Sequence, residues 1–350
     1  MGTAATTIID SLSATLTFDY GVEIDPTIVS TIPFDSPLFD YLEAGPGAPH
    51  KSLGTAAVYA LLTAAEFTSS GDGSFTIGGD PPGLTTDRSV ESVTKKSYGA
   101  SGGLTDVDII ASTMGIAPHE VDKLGKYRSD AEFLLNLLYV RTRQAWDYGL
   151  IRGNTGTNSR NIDGLEYMVT ALNGSQVLEV DGTYTKAKLD ELIIQMMMQG
   201  ITPTAIACNP ICLSSLVKAY TTDTGTNVSI NMDQGTPKQT LGYWVDGIVT
   251  PAGRLPIVSD RRFTVEGTAP TFTADIFVLT RDHEGEQILY LDWQVLPTAL
   301  NLARVPGFYT SRVFAVWSHA ALVEKSDWWA QGRLNDVVIT YSPTPPTVTP

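Results

Sequence analysis

The stretch Pro118–Gly149, PHEVDKLGKYRSDAEFLLNLLYVRTRQAWDYG, decides how the rest of the chain is read. Pro118 suits the first position of a helix, and Glu120 suits its first turn, where the helix dipole favours an acid. Val121, Leu124, Ala131, Leu134, Leu135, Leu138, Ala145 and Trp146 recur in steps near three and four, which predicts one continuous helix. At 1.5 Å per residue it would span roughly 45 Å, long for a globular protein. Basic residues gather on it and just beyond: Lys123, Lys126, Arg128, Arg141, Arg143, Arg152 and Arg160. Between Lys123 and Arg160 they face Asp130, Glu132 and Asp147, a net of +4.

Upstream, Arg88–Ile110 alternates polar and apolar residues on either side of Gly99-Ala100-Ser101-Gly102-Gly103. Two extended runs around glycines predict a long β-hairpin. Neither face is clearly apolar, and a two-stranded ribbon of that kind is marginal alone, so a neighbouring chain should support it. A helix is expected from Tyr59 to Glu66. Between Met1 and Asp87, eleven acids stand against one basic residue, Lys51, a net of −10 out of the chain's −15. Pro26, Pro33, Pro37, Pro46 and Pro49 separate short apolar groups such as Phe34, Leu38, Phe39, Tyr41 and Leu42. That pattern reads as an extended arm laid over something else, with ordinary surface loops as the alternative. So acidic a segment should meet the basic long helix or the turn after it.

Downstream, Gly153–Asn158 and Gly164-Leu165 are turn-rich. A helix is expected over Thr185–Gln199, lined by Leu189, Leu192, Ile193, Met196 and Met197 and stopped by Gly200. The methionines Met196–Met198 read as packing, not as a soft metal site. A strand, Thr204–Ala207, leads to Asn209-Pro210, a cap and first-turn proline that open a helix to about Tyr220. Strands follow at Tyr243–Val249, Leu255–Val258, Ile276–Thr280, Gln287–Val295 and Arg312–Val323. The tail, Ser342–Pro350, is Pro/Thr-rich and extended. Helices and strands mix without regular alternation, which places the chain in the α+β class.

The chain has 350 residues, enough for roughly two domains. Its 43% hydrophobic and 17% charged residues are those of a globular protein. A net charge of −15 argues against a specific nucleic-acid reader. Cys208 and Cys212 make no disulfide framework, and no apolar run reaches the roughly 18 residues of a membrane span. Met1–Asp10 has no secretory pattern, although Met1–Thr6 fits the loose myristoylation motif, which is common by accident. Gly99–Gly103 matches Gly-x-Ser-x-Gly but is followed by a strand-like run where a nucleophile elbow needs a helix. Gly71-Asp72-Gly73 lacks the third glycine of a dinucleotide fingerprint, and no Walker motif exists. Cys208-x-x-x-Cys212 has no second ligand pair, and His50, His119, His283 and His319 are isolated. Asp106 and Asp108 lack the rest of a calcium loop. No catalytic, cofactor-binding or metal-binding residue is assigned, and no enzyme is expected.

An arm, a long hairpin, a long helix and then mixed sheet and helix: this order resembles the major capsid protein of tailed bacteriophages, the Hong Kong 97 fold. Ala205-Ile206-Ala207-Cys208-Asn209-Pro210 resembles the family's strand entering a helix at Asn-Pro. Gly153-Asn154-Thr155-Gly156 with Gly164-Leu165 resembles its turn after the spine helix. Asp246-Gly247-Ile248-Val249 and Gly253-Arg254-Leu255-Pro256-Ile257-Val258 resemble its peripheral-to-axial strands.

The resemblance implies an arm at 1–58, the start of a peripheral domain at 59–87 and the E-loop hairpin at 88–110. It implies the rest of the peripheral domain at 111–184, with the spine helix at 118–149, and an axial domain at 185–265. Return strands would occupy 266–325 and a C-terminal segment and tail 326–350. It further implies assembly of many copies, as pentamers and hexamers, into an icosahedral shell around double-stranded DNA in a virion put together in the host cytoplasm. Scaffolding, portal and decoration proteins would be partners, with no membrane and no cofactor. Inter-subunit contacts would fall to Lys95, Lys96, Tyr98, Arg141 and Arg143. The family's best-known member joins an E-loop lysine to a neighbour's asparagine, yet nothing here supplies a desolvated neutral lysine, so no such cross-link is expected. No helical scaffolding segment precedes the arm, which implies a separate scaffold protein or a mature form. An encapsulin shell is the alternative, and a soluble hydrolase a distant one.

Overall fold

The computed structural model describes residues 35–67, 84–105, 130–213, 215–216, 247–302 and 311–340. Most of the arm, the start of the long helix at 118–129, residues 217–246 and the Pro/Thr tail lie outside these residues.

The long helix, here α2, is described as Asp130–Arg152, three residues beyond its expected end. The other helices are the short α1 (Pro37–Glu43) and α3 (Leu165–Met168), and α4 (Lys186–Met198). The strands are β1 (His50–Lys51), β2 (Ala56–Phe67), β3 (Leu84–Thr94), β4 (Lys96–Thr105), β5 (Gln176–Thr183), β6 (Ala205–Cys208), β7 (Gly247–Thr250) and β8 (Gly253–Ser259). They continue with β9 (Val265–Thr268), β10 (Thr271–Leu279), β11 (Asp282–His283), β12 (Glu286–Gln287), β13 (Leu289–Leu302), β14 (Ser311–Glu324) and β15 (Gly332–Thr340).

Two compact units divide the chain. One holds residues 98–145 and 296–318 together with the first 35 residues; the other holds 36–97, 146–295 and 319–350. A four-stranded sheet runs in the order β1-β13-β14-β4.

In the first unit, β4 lies very close to β14. A Cβ on Gly99 would sit 2.6 Å from the Val316 carbonyl oxygen, and one on Gly102 would meet Leu134 at 3.0 Å. The glycine cluster is therefore a close-packed strand, not a turn. Thr142 Oγ1 donates to the carbonyls of Leu138 and, at 3.4 Å, Val316. The hairpin expected over 88–110 does not form. Its halves belong to different sheets: β3 pairs with β2, and β4 with β14. The helix expected at Tyr59–Glu66 is part of strand β2. Alanine and leucine there favour a helix locally, but antiparallel pairing of Ala56–Phe67 with Leu84–Thr94 overrides so weak a preference.

The second unit is built on a sheet in the order β5-β15-β10-β6-β8-β7, with β9 paired to β10. All four residues of β6 are buried, which fits an inner strand. Helix α4 covers one face. Leu189, Leu192, Ile193 and Met196 are buried there with Ile206, Val278, Leu334 and Ile339. Gly332 permits the contact, since a Cβ would come within 2.9 Å of Met196 Sδ. Gly200, at φ +86°, ends the helix region as expected. Asn209 Oδ1 accepts the Ile211 N–H at 3.1 Å, the predicted cap. The span 185–265 is not a self-contained domain, because β10 and β15, from the expected return strands and C-terminal segment, complete its sheet. Register shifts at Ala274/Ile276 and Asn335/Val337 mark a bulge at Asp336, φ 54°, that keeps Leu334, Val337 and Ile339 all in the core.

Part of the acidic arm is helix α1. Leu38, Phe39 and Leu42 are buried, and Phe39 meets Trp293 edge-on at 6.1 Å. Trp293 also meets Trp146 of α2 at 5.3 Å. Tyr41 bonds Thr204 Oγ1 at 2.7 Å and lies under the Arg281 guanidinium, and burial pushes its hydroxyl up to about 12. The arm thus touches the end of the long helix, but apolar burial holds it there. The residue it meets, Asp147, is an acid.

Candidate assembly surface

The two-stranded ribbon β2–β3 is the element that the rest of the subunit does least to explain. Its twelve-residue strand β2 would extend about 40 Å at roughly 3.4 Å per residue. Among the described residues β2 and β3 pair only with each other. At the root, Ala57, Tyr59 and Val93 pack on Tyr290, Ala321 and Val323. Burial pushes the Tyr59 and Tyr290 hydroxyls up to about 12, with Glu324 and Glu91 adding to the shift at Tyr59. The opposite face carries Val58, 67% exposed across from Ser92, and Val90, 71% exposed across from Ala60. Among the described residues, a two-stranded ribbon that pairs with no other strand and exposes Val58 and Val90 on one face is suited to lie on another protein surface.

Lys95, directly after β3, fixes the ribbon's root. Its N–H donates to the Thr55 carbonyl at 3.0 Å. Its ammonium lies 3.0 Å from Asp292 Oδ2 and donates to Ser52 O at 2.8 Å and Ser52 Oγ at 2.6 Å. Ser52 Oγ also donates to Asp292, and Ser52 N to Trp293 O. The Lys95 side chain is fully buried and Asp292 is 8% exposed. Short parallel pairing of β1 with Asp292–Trp293 brings the partners together.

The proposed contact residues have different fates. Lys95 is committed inside its own subunit, contrary to its expected place at an interface, because its ion pair closes the hairpin root. Lys96 is partly exposed and donates to Ser159 O at 2.7 Å. The Tyr98 carbonyl accepts Ser318 Oγ at 3.1 Å, while its side chain is half-buried. Arg141 is exposed and bonds Gln144 at 3.0 Å; Arg143 is half-buried. Sequence reading missed Ser52, Asp292, Val58 and Val90. For Asp292 a signal existed: a lone acid within the apolar run Leu289-Tyr290-Leu291-Asp292-Trp293. Val58 closed the segment read as the extended arm, so its exposure on a ribbon strand could not be foreseen.

The acids Glu179, Asp181 and Asp336 gather at the sheet bulges with oxygens within 4.8 Å of one another, all exposed. Asn335 donates to Glu179 and Asp336 there. Their grouping follows from the bulges and assigns no metal.

Residues 138–284 match the model of the SU10 major capsid protein family. No curated protein matches the sequence. Among solved structures, the chain is similar to the cyanophage A-1(L) capsid, at 13% identity and a TM-score of 0.61, over 93% of this chain and 99% of that one. It is similar to the capsid of the myovirus XM1, at 11% identity and 0.52, over 90% and 97%. It is also similar to the SrpI encapsulin of Synechococcus elongatus PCC 7942, at 13% identity and 0.54, over 95% and 98%. At such identities the likeness is one of fold. The fold is the Hong Kong 97 type expected from the order of elements.

Proposed function

We propose that the chain is the structural subunit of the icosahedral capsid that encloses the double-stranded DNA of a tailed bacteriophage. The observation that carries this reading is the match of residues 138–284, from the middle of the long helix through β5 to β11, to a major capsid protein family. The fold agrees with it along nearly the whole chain. Copies form rings of five and six and close into a shell, assembled in the host cytoplasm. The ribbon β2–β3 takes the part of the E-loop, α2 that of the spine helix, and the sheet with α4 that of the axial domain. Lys96, Tyr98, Arg141 and Arg143 contact neighbouring subunits; scaffold, portal and decoration proteins are further partners. The role is structural rather than enzymatic.

An encapsulin compartment is the second reading, favoured by the near-complete overlap with the SrpI encapsulin. The two are separated by purified particles. A megadalton shell holding nuclease-protected DNA supports the phage reading, and a shell holding protein cargo supports the other. A stable species near 38 kDa that never assembles overturns both.

Neither lysine of the ribbon root is set up as a cross-linking nucleophile. Lys95 is buried in an ion pair with Asp292, and Lys96, partly exposed, donates to Ser159 O. Mature particles boiled in detergent should run as a single band at subunit mass. A ladder of covalent multimers would refute this.

A further inference from the structure

Three segments of the second unit converge at Gln176, the first residue of β5. Its N–H donates to the Gln331 carbonyl at 3.0 Å, at the end of the turn between β14 and β15. Its side-chain amide donates to Gln199 Oε1 at 3.0 Å, just past α4. The short 3-10 helix Ala171–Asn173 comes just before it, and a Cβ on Gly174 would lie 3.8 Å from the Asp327 carbonyl oxygen. Each segment leaves an apolar residue in solvent: Leu172 is 98% exposed, Met198 83% and Trp329 41%. None is charged, on a chain whose net charge is −15.

The turn that carries Trp329 is strained. Asp327 (φ 53°) and Trp328 (φ 67°) both take the left-handed conformation, which a bulky side chain rarely adopts. Glu324, itself buried, holds them there. Its carboxylate accepts the N–H of Ser326 at 3.0 Å and of Trp328 at 2.6 Å, the Ser326 hydroxyl, and Gln331 Nε2 at 3.1 Å. The Ala330 N–H adds a bond to Ser326 Oγ at 3.1 Å. These bonds give Trp329 a rigid base, and strain that the surroundings keep in place is found where a chain does more than fold. A tryptophan on a preorganised turn loses little freedom when covered, and such side chains dominate protein contacts.

The same turn adjoins the ribbon. Lys325 lies over the Tyr290 ring at 5.4 Å, and Tyr290 shares the root cluster with Tyr59 of β2. Three side chains fall short of the roughly 800 Å² that a stable contact takes from each partner. The patch is therefore one end of a wider contact, and the ribbon supplies its continuation.

We propose that Leu172, Met198 and Trp329 form an apolar anchor, which a second copy of this chain covers in the contact begun by the ribbon. The inference rests on the capsid reading. Copies of so acidic a chain repel one another, and uncharged ground such as this is where they can approach closely.

The test is thiol labelling of Leu172→Cys, in a chain whose own Cys208 and Cys212 are both buried. With Leu172 almost wholly exposed, the substitution should leave the melting temperature within about 2 °C of wild type. A maleimide should modify the introduced thiol in dissociated subunits, and about tenfold more slowly in purified shells that contain no second protein. Equal rates in the two states overturn the anchor and leave the capsid reading standing. Protection that needs a second protein in the particle overturns the choice of occupant. A wild-type chain that never assembles overturns both readings. Leu172→Asp with Trp329→Ser gives an independent result: folded subunits whose shell yield falls about tenfold support the anchor, and normal shells refute it.

Discussion

Replacing Leu61–Ser89 by an Asn-Gly turn, so that Ala60 and Val90 remain the last ribbon pair, should leave a folded subunit that forms no shells. Among the described residues the ribbon's strands pair only with each other, so its loss removes no strand from either larger sheet. Ordering it costs about 1–2 kcal/mol per residue in backbone entropy, which two strands alone repay poorly. On the proposed capsid reading, a neighbouring subunit supplies the missing contact, and Val58 and Val90 lie on the face it would cover. Circular dichroism should stay close to wild type while sedimentation shows no particle. Normal shells from the shortened chain would refute the role. The structure also says which deletion is uninformative: removing Ser92–Asp106 takes Lys95 and all of β4, a strand of the four-stranded sheet, and should abolish folding itself.

Lys95→Met should be the most damaging single substitution at the ribbon root. It leaves Asp292 buried, 8% exposed, with its cation gone. Breaking a buried pair from one side costs about 3–5 kcal/mol, whereas replacing both partners by apolar groups is often neutral. The single variant should therefore melt about 10 °C lower. Lys95→Met with Asp292→Leu should recover most of the loss. Lys96→Met, at a partly exposed neighbour, should stay within about 0.5 kcal/mol of wild type. A Lys95→Met protein as stable as wild type, or a double variant no better than the single, would show that the pair does not hold the root. Adjacent lysines thus separate stability from surface chemistry: one secures the ribbon, the other remains available to a neighbour.

Both predictions turn on contacts that no local pattern reveals. Lys95 and Lys96 sit side by side in the sequence with nothing to distinguish them. Only the pairing of β1 with β13 delivers Asp292 to one and not to the other. The glycine cluster at 99–103 misled for a related reason. Glycine serves turns, but it also serves close approach, and here the carbonyl of Val316 leaves no room for a Cβ at Gly99. The charge argument for the arm found its neighbour but not the force: α1 docks by Leu38, Phe39 and Leu42, onto an acid.

By itself the sequence determined the elements whose signals are local: the 3.6-residue periodicity of α2 and α4, the Gly200 stop and the Asn209-Pro210 opening. Their order was enough to reach the capsid fold. The tertiary structure decided what depends on partners distant in sequence. It made Tyr59–Glu66 a strand, joined β2 to β3, completed the sheet with β10 and β15, and buried Lys95 with Asp292. The reason is physical: a helix satisfies its backbone hydrogen bonds within a few residues. A strand, like a buried charge, must find its partner elsewhere in the chain.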